Sequence, residues 1–597
     1  MLRIHKLTIL MLVMASATPG KSIHYKLSMP EPHTHLFEVE MRLDGARGKE
    51  VVALPVWTPG SYLIREYAQH VQDVTAIAAD GSIIDIEKLD KNHWQVMGKW
   101  GQDIIVKYRV YAFEHSVRTS YLDSDHALVI PASVFMYWEK NQNREHKLHV
   151  DLPESWSSIT TALKPFNKPG NVDFVAANYD ELADSPLELG NQKVLEFEVH
   201  GIPHVIGIYG SSNYIDSVIV NDFTRIMEAE AEIFGGLPYD RYAYILHLEE
   251  GRGGLEHAHS SVNFIRRWSF NDEKRYKSFL ALIAHEFFHT WNIKRLYPQG
   301  VATFDYDAEN YFDELWMAEG VTSYYDELIL QRIGIKDKDE YLDVLKREIN
   351  TLEARPGKLH QSVADASWDA WIKYYRTSEH SRNSTISYYN KGHLIGLLLD
   401  IMITDATGGK AGLDEVISTL YREFAERDKP YTTQDVQEES ERISGLELGA
   451  FFKDYVYGFA PLPYAEVFEL AGVVLDSTEE KKSHLGIKMS MNNGRVMITN
   501  VLEDSPAWDA GLSVHDELVA IDGFRVKSSK PDYMREKTPG DRIVCTVSRK
   551  GMLRDIHVTV GFRPVEIKSL SQIEDPDDKQ KLVFESWLDN SWDDEKD

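Results

Sequence analysis

The chain has 597 residues and carries 94 Asp and Glu against 65 Lys and Arg, a formal net charge of -29. That surplus of acid excludes a nucleic-acid partner and an anionic membrane surface, and is read as a solubility feature rather than a site for a cationic substrate. The length calls for several domains, and an apolar fraction of 43% is ample to fill their cores.

Residues 1–20 have the parts of an export signal: Arg3 and Lys6, the apolar run Leu7 to Met14, then Ala15-Ser16-Ala17 as a small-residue cleavage site. The run is short for a membrane span, and no cysteine near the cut offers a lipid attachment point. Another apolar run, His393 to Ile403, is interrupted and reads as a core helix, so no stable membrane anchor is expected. The lone Cys545 cannot form an intramolecular disulfide. A periplasmic protein stabilised by its core and by metal fits these facts, with secretion to the medium as the alternative.

From 22 to 203 short runs alternate polar and apolar residues, as in Leu36 to Met41 and Ile104 to Tyr111, with Gly, Pro and Asn between them. This is the pattern of an antiparallel β domain. Within it Val56 to Tyr67 is rich in turn formers and aromatics, and reads as a packed turn and edge strand.

From 204 to 464 helical periodicity takes over, after a strand around Tyr242 to Leu248. Gly253-Gly254-Leu255-Glu256 follows. Paired glycines let a backbone pass close to a ligand, and the carboxylate beside them can hold a substrate amine; a glycine turn with two solvated histidines, His257 and His259, is the other reading, and neither histidine is expected as a further zinc ligand but rather as a structural residue or one that orients a ligand. Next, Ala281 to Trp291 reads as a buried helix containing His285-Glu286-Phe287-Phe288-His289. Residues four apart share a helix face, so both imidazoles can aim at one ion while Glu286 stands beside it as a general base for water. That names zinc-assisted hydrolysis.

In Asn310 to Tyr325, Trp316, Glu319 and Ser323 share a helical face, so Glu319 can point inward as a third ligand and leave the fourth zinc position for water. Glu314 falls off that face and is expected in solvent, while Asp313 or Glu309 is a candidate to orient a ligating histidine. Further on, Tyr388 and Tyr389 open the apolar helix, and one of the two phenols can donate to a developing oxyanion. Asn383-Ser384-Thr385 matches a glycosylation pattern, which the bacterial-looking export signal discounts.

Residues 473–564 are dense in short strands, with His484-Leu485-Gly486-Ile487, Ser505-Pro506 opening a helix, and Asp522-Gly523 in a turn. This unit resembles a PDZ domain of the bacterial-protease type. The resemblance implies that backbone amides at Leu485, Gly486 and Ile487 can receive a peptide C-terminal carboxylate by strand addition; a fixed structural module is the alternative. The acidic tail 565–597 reads as loosely ordered, or as docking a short helix through Leu582, Phe584 and Trp587.

His285 to Leu296, Leu315 to Gly320 and the upstream Trp57-Thr58-Pro59-Gly60-Ser61-Tyr62 together resemble the glycyl aminopeptidase family that carries a PDZ module, a branch of the gluzincin metallopeptidases. The resemblance spans nearly the whole mature chain. It implies a multidomain α+β protein: a β-rich N-terminal domain, a thermolysin-like and mainly helical catalytic domain, and a C-terminal PDZ domain. It implies that His285, His289 and Glu319 bind one zinc ion per chain and that Glu286 is the base. Gly253-Gly254-Leu255-Glu256 is similar to the exopeptidase motif of alanyl aminopeptidases, which implies substrate binding by Gly253, Gly254 and Glu256, the last on the α-ammonium. His257 stands where an asparagine is common in that group. Tyr389-Asn390-Lys391-Gly392 is similar to the same group's tyrosine signature, so Tyr389 inherits the oxyanion role. The long interval between His289 and Glu319 implies an insertion containing Lys294 to Tyr306. The expected function is removal of an N-terminal residue, Gly or Ala, from peptides with a free N-terminus. A PDZ-assisted endopeptidase and a non-catalytic PDZ peptide-binding protein are the alternatives.

Overall fold

The computed structural model describes residues 22–166, 172–478, 483–562 and 566–593. The export signal expected at 1–20 lies outside them. In the N-terminal region two long strands, Leu36–Ala53 and His93–Tyr111, pair antiparallel along most of their length. Their alternation sends Phe37, Val39, Met41 and Leu43 inward, where they meet Val106, Tyr108 and Val110 in one core. These strands anchor a ten-stranded sheet, and a second sheet of five short strands holds Thr119–Leu122, Ala127–Val129 and Leu187–Gly190. The expected β-rich first domain is therefore present.

A separate five-stranded sheet follows, in the spatial order Lys193–Val199, Ile202–Tyr209, Tyr242–Glu249, Ser260–Arg266, Gly253–His257. Its central strands run parallel and both edge strands antiparallel. It takes in residues on both sides of the 203/204 division drawn from the sequence, because Lys193–Val199 hairpins onto the next strand. Helix Glu273–Phe288 packs on this sheet, and helices Thr322–Arg332, Lys338–Glu353 and Tyr388–Thr407 share one core with both. The last of these is buried on nearly every face, as its apolar sequence requires. No described helix is long and apolar enough to cross a membrane.

Val56, Trp57 and Tyr62 belong to the catalytic core rather than to the β domain that carries them. The Trp57 indole donates to the Asp305 carbonyl at 2.7 Å and packs edge-on against Phe304 and Trp371. The segment expected as a packed turn is thus a wedge driven into the neighbouring domain.

The PDZ region has its own core, which includes Cys545, and a six-stranded sheet. The unit expected at 473–564 is narrower in the structure. Val473–Thr478 pairs with Glu566–Gln572 outside the PDZ sheet, so the chain leaves and re-enters the catalytic region through one two-stranded ribbon. Of the two readings of the tail the structure has the docked helix, Asp578–Leu588, closed at its start by a capping box from Asp577 and Gln580. Phe584 and Trp587 are fully buried, and the Trp587 indole donates to the Tyr324 hydroxyl at 2.8 Å, whereas Leu582 faces solvent.

Candidate active site

Helix Glu273–Phe288 starts at Asp272, whose carboxylate accepts from the Arg275 N–H, and runs out one residue before His289. His285 and His289 therefore sit one turn apart at its end, their rings 4.7 Å apart and almost perpendicular. Glu319 comes from Trp316–Val321, a π-helical segment that continues into helix Thr322–Arg332. Its Oε2 lies 3.4 Å from His285 Nε2 and 3.2 Å from His289 Nε2.

The far sides of both rings are fixed. His285 Nδ1 is 3.0 Å from an Asp326 carboxylate oxygen, and His289 Nδ1 is 3.0 Å from the Asn292 carbonyl. Both partners accept, so each Nδ1 carries a proton, and on a neutral ring Nε2 turns a lone pair toward Glu319. The Asn292 amide donates to the Met317 carbonyl at 2.9 Å and to Thr322 Oγ1 at 3.0 Å, tying the histidine segment to the glutamate segment. Two lone pairs and a carboxylate facing one another inside a protein repel unless positive charge lies between them. Protons on the imidazoles are the other way to supply that charge, and the titration of the three groups shows the demand for it. Burial pushes the Glu319 carboxyl up, but His289 and His285 outweigh it and hold the group at about 2. Burial disfavours charge on His285, and Asp326 and Glu319 override it, raising that imidazole well above its ordinary value. The donor set, two imidazoles and one carboxylate with room for a further ligand, suits a divalent zinc-type ion.

Glu286 lies beside these ligands at the same helix end. Burial raises its carboxyl to about 7, against the pull of His285 and His289. It faces the edge strand Gly253–His257, where a Cβ on Gly254 would fall 2.0 Å from Glu286 Oε1. Glycine is required there by the side chain opposite, not by a turn. Glu256 projects from the same strand, is 3% exposed, and its Oε1 is buried without a partner. Potential ligand atoms of Glu256, Glu286 and His289 lie within 4.8 Å of one another. Pro59-Gly60 closes over Glu256: Gly60 has φ +86°, and a Cβ there would come within 2.6 Å of Glu256 Oε1.

Tyr389 lies on helix Tyr388–Thr407, its ring 6.1 Å from that of His285, while the adjacent Tyr388 hydroxyl is buried without a partner. A glycine crossing sets this position. A Cβ on Gly320 would meet Gly392 Cα at 2.5 Å, and one on Gly392 would meet the Trp316 carbonyl at 2.4 Å. The Tyr389 helix thus rests backbone to backbone on the Glu319 segment.

Three expectations are corrected. Glu314 is 5% exposed, accepts from the Thr433 N–H at 3.1 Å, and is raised by burial to about 8, so it is a core residue and not a solvated one. Asp326, not Asp313 or Glu309, orients His285. The alternative of a glycine turn with solvated histidines fails: Gly253–His257 is a strand, and His257 is a buried structural residue held to Asp184 at 2.9 Å. Sequence reasoning also missed Arg118, whose guanidinium lies within electrostatic reach of Tyr375, Tyr389, Glu286 and Glu256.

At the PDZ loop, Gly486 has φ +76° and its carbonyl accepts from the Leu502 N–H at 2.8 Å. Leu485 is buried, and Ile487 begins a strand that pairs, among the described residues, on one side only. The loop stands beside the catalytic region: the Asn383 amide donates to the Val501 carbonyl at 2.9 Å and accepts from the Glu503 N–H at 3.1 Å. Asn383 is therefore buried in an internal contact.

The family profile for the Peptidase M61 N-terminal domain matches residues 24–191, that for M61 glycyl aminopeptidase matches 278–395, and that for a PDZ domain matches 483–560. Among solved structures, an aminopeptidase N family protein from Idiomarina loihiensis is similar with a TM-score of 0.88 and 29% identity, over 95% of this chain and 100% of that one. An M1 zinc metallopeptidase from Deinococcus radiodurans gives a TM-score of 0.49 and 13% identity, over 74% of this chain and 95% of that one. The comparison with curated proteins returned no match. With profiles of both peptidase parts falling in order along a chain that holds His285, His289 and Glu319 together, the protein is a zinc metallopeptidase with an M61 N-terminal domain, an M61 glycyl aminopeptidase domain and a PDZ domain.

Proposed function

We propose that the protein removes a small N-terminal residue, Gly or Ala, from peptides, using one zinc ion per chain held by His285, His289 and Glu319. The observation that carries the exopeptidase reading is Glu256. A buried carboxylate with an oxygen left unpartnered, walled in by Pro59-Gly60 and adjoining Glu286, calls for a cation, and the α-ammonium of a peptide supplies one.

Zinc at this site supplies Lewis acidity, which acidifies a water and polarises the scissile carbonyl. Glu286 takes the proton of the attacking water on a carboxylate oxygen and delivers it to the leaving amine nitrogen. The Tyr389 hydroxyl donates to the carbonyl oxygen as that oxygen gains negative charge. Gly253 and Gly254 keep the edge strand open to the substrate backbone, and Glu256 fixes the distance from the amine to the bond that breaks.

The crowding of Glu256 by Gly60 and the family's description support a small first residue. A cavity of about 410 Å³ also borders Glu256, between Trp57, Tyr62 and Phe304, and supports a second reading in which larger side chains are accepted. A panel of aminoacyl substrates decides between them. The one-sided edge strand at Ile487 supports binding of a peptide C-terminus by the PDZ domain, and the features of residues 1–20 support export to the periplasm.

The test is a peptide against its N-acetylated copy. Glu256 predicts that acetylation abolishes turnover, and equal rates would establish an endopeptidase instead.

A further inference from the structure

A cavity of about 660 Å³ opens on the Asp326 side of the metal ligands, with Tyr389 and Tyr374 in its wall and Arg355 and Arg382 among its lining residues. Its other charged groups have partners, though Glu348 is held by a neutral amide and not by a cation. Asp326 holds His285, Glu327 is paired with Lys336, Glu348 accepts from the Asn390 amide at 2.6 Å, and Lys373 is 2.6 Å from Asp369. The two arginines differ. Among the described residues neither forms an ion pair; Arg382 has one long hydrogen bond, to the Ala354 carbonyl at 3.4 Å, and its Nε is buried without a partner.

They also repel. Burial first, then Arg382, pulls the Arg355 guanidinium below its ordinary value, and burial does the same to Arg382. Lys488, from the PDZ edge strand, is lowered by burial and by both arginines. In a chain with 29 more acids than bases, three neighbouring cations that form no ion pair among the described residues are a cost that structure alone does not explain. It is relieved when an anion enters.

The cavity is bounded by the phenol proposed to face the scissile carbonyl, on the side away from Glu256. The part of a peptide that follows the broken bond passes this way, and its one obligatory anion is its terminal carboxylate. We propose that Arg355 and Arg382 receive the C-terminal carboxylate of a short peptide whose amine is held by Glu256, so that the enzyme measures its substrate from both ends. A guanidinium fork matches a planar carboxylate with two parallel hydrogen bonds. This assignment rests on the aminopeptidase reading above.

The test measures kcat/KM for alanine peptides of two to five residues, each as the free acid and as the C-terminal amide. At the best-fitting length the free acid is expected to exceed the amide by about tenfold or more, the cost of losing a charge-assisted bond. The ratio is expected to fall toward one in the double variant Arg355→Met, Arg382→Met, and to be partly kept in Arg355→Lys. A wild-type ratio near one at every length overturns the proposal without any variant, as does a ratio that survives the double substitution. An amide ending in Glu that matches the free acid reassigns the site to an acidic side chain and overturns the C-terminal assignment. Failure of the wild type to release alanine from any of these peptides overturns the aminopeptidase reading, and this one with it; equal release from acid and amide overturns this one alone.

Discussion

Asp326 never reaches the proposed ion, yet it decides how well His285 can. Its carboxylate fixes the Nδ1–H tautomer and the ring plane, so Asp326→Asn should weaken zinc binding by about 10–100-fold while Glu319 and His289 stay in place. Competition with a chelator measures this, and unchanged affinity would mean the hydrogen bond has no hold on the metal. The same residue marks the limit of reading the sequence. His285, Glu286 and His289 were legible because a helix turns 3.6 residues at a time and places i and i+4 together whatever surrounds it. Asp326 orients a ring 41 positions earlier in the chain, and no local spacing announces such a pairing. Glu314 was misjudged for a similar reason: its partner is the Thr433 N–H, far along the chain.

At the scale of elements, the site is built by close backbone approach. The π-helical Trp316–Val321 and the helix carrying Tyr389 touch at Gly320 and Gly392, so the phenol's position follows from the absence of two side chains. Gly392→Ala is expected to cost about 1–3 kcal/mol by overpacking and to lower kcat more than it raises KM, because it pushes Tyr389 off the carbonyl. Thermal melting together with steady-state kinetics checks both parts; a destabilised variant with wild-type kcat would separate the crossing from catalysis. The glycine in Tyr389-Asn390-Lys391-Gly392 was visible in the sequence as a motif, but only the crossing gives its reason. The edge strand shows the same. Gly253-Gly254 admitted a turn or a ligand-facing backbone, and the choice is made by Glu286 standing opposite Gly254.

Across the whole molecule, domains are joined by buried polar ties as well as by apolar wedges. Asp184, at the end of a short helix in the β-rich region, holds Lys294 at 2.9 Å, His257 at 2.9 Å and the Ala258 N–H at 2.8 Å. Burial opposes its charge, but Lys294 and His257 prevail and keep the carboxyl far below its ordinary value. A depressed folded-state value means the stabilisation is complete above the unfolded carboxyl's titration and is lost as pH falls toward the folded one. Asp184→Asn should therefore flatten the acid limb of the stability curve and, by stranding buried Lys294, cost about 3–5 kcal/mol at neutral pH. Denaturant unfolding at several pH values tests this, and an acid limb identical to wild type would place the linkage elsewhere. The insertion at Lys294 to Tyr306 was expected because the interval is longer than in the aminopeptidases the chain resembles. Its role as the floor that receives Trp57 and Asp184 needed the fold, as did the ribbon and helix that return the tail to Tyr324.

Glu286→Gln tests the account most directly, because it changes one atom beside the proposed ligands and none of the ligands themselves. Zinc content and turnover of a free peptide should be measured on the same preparation. The account predicts about one zinc ion per chain, as in the wild type, with turnover reduced by about 10²–10⁴-fold. Full activity with zinc in place would contradict it.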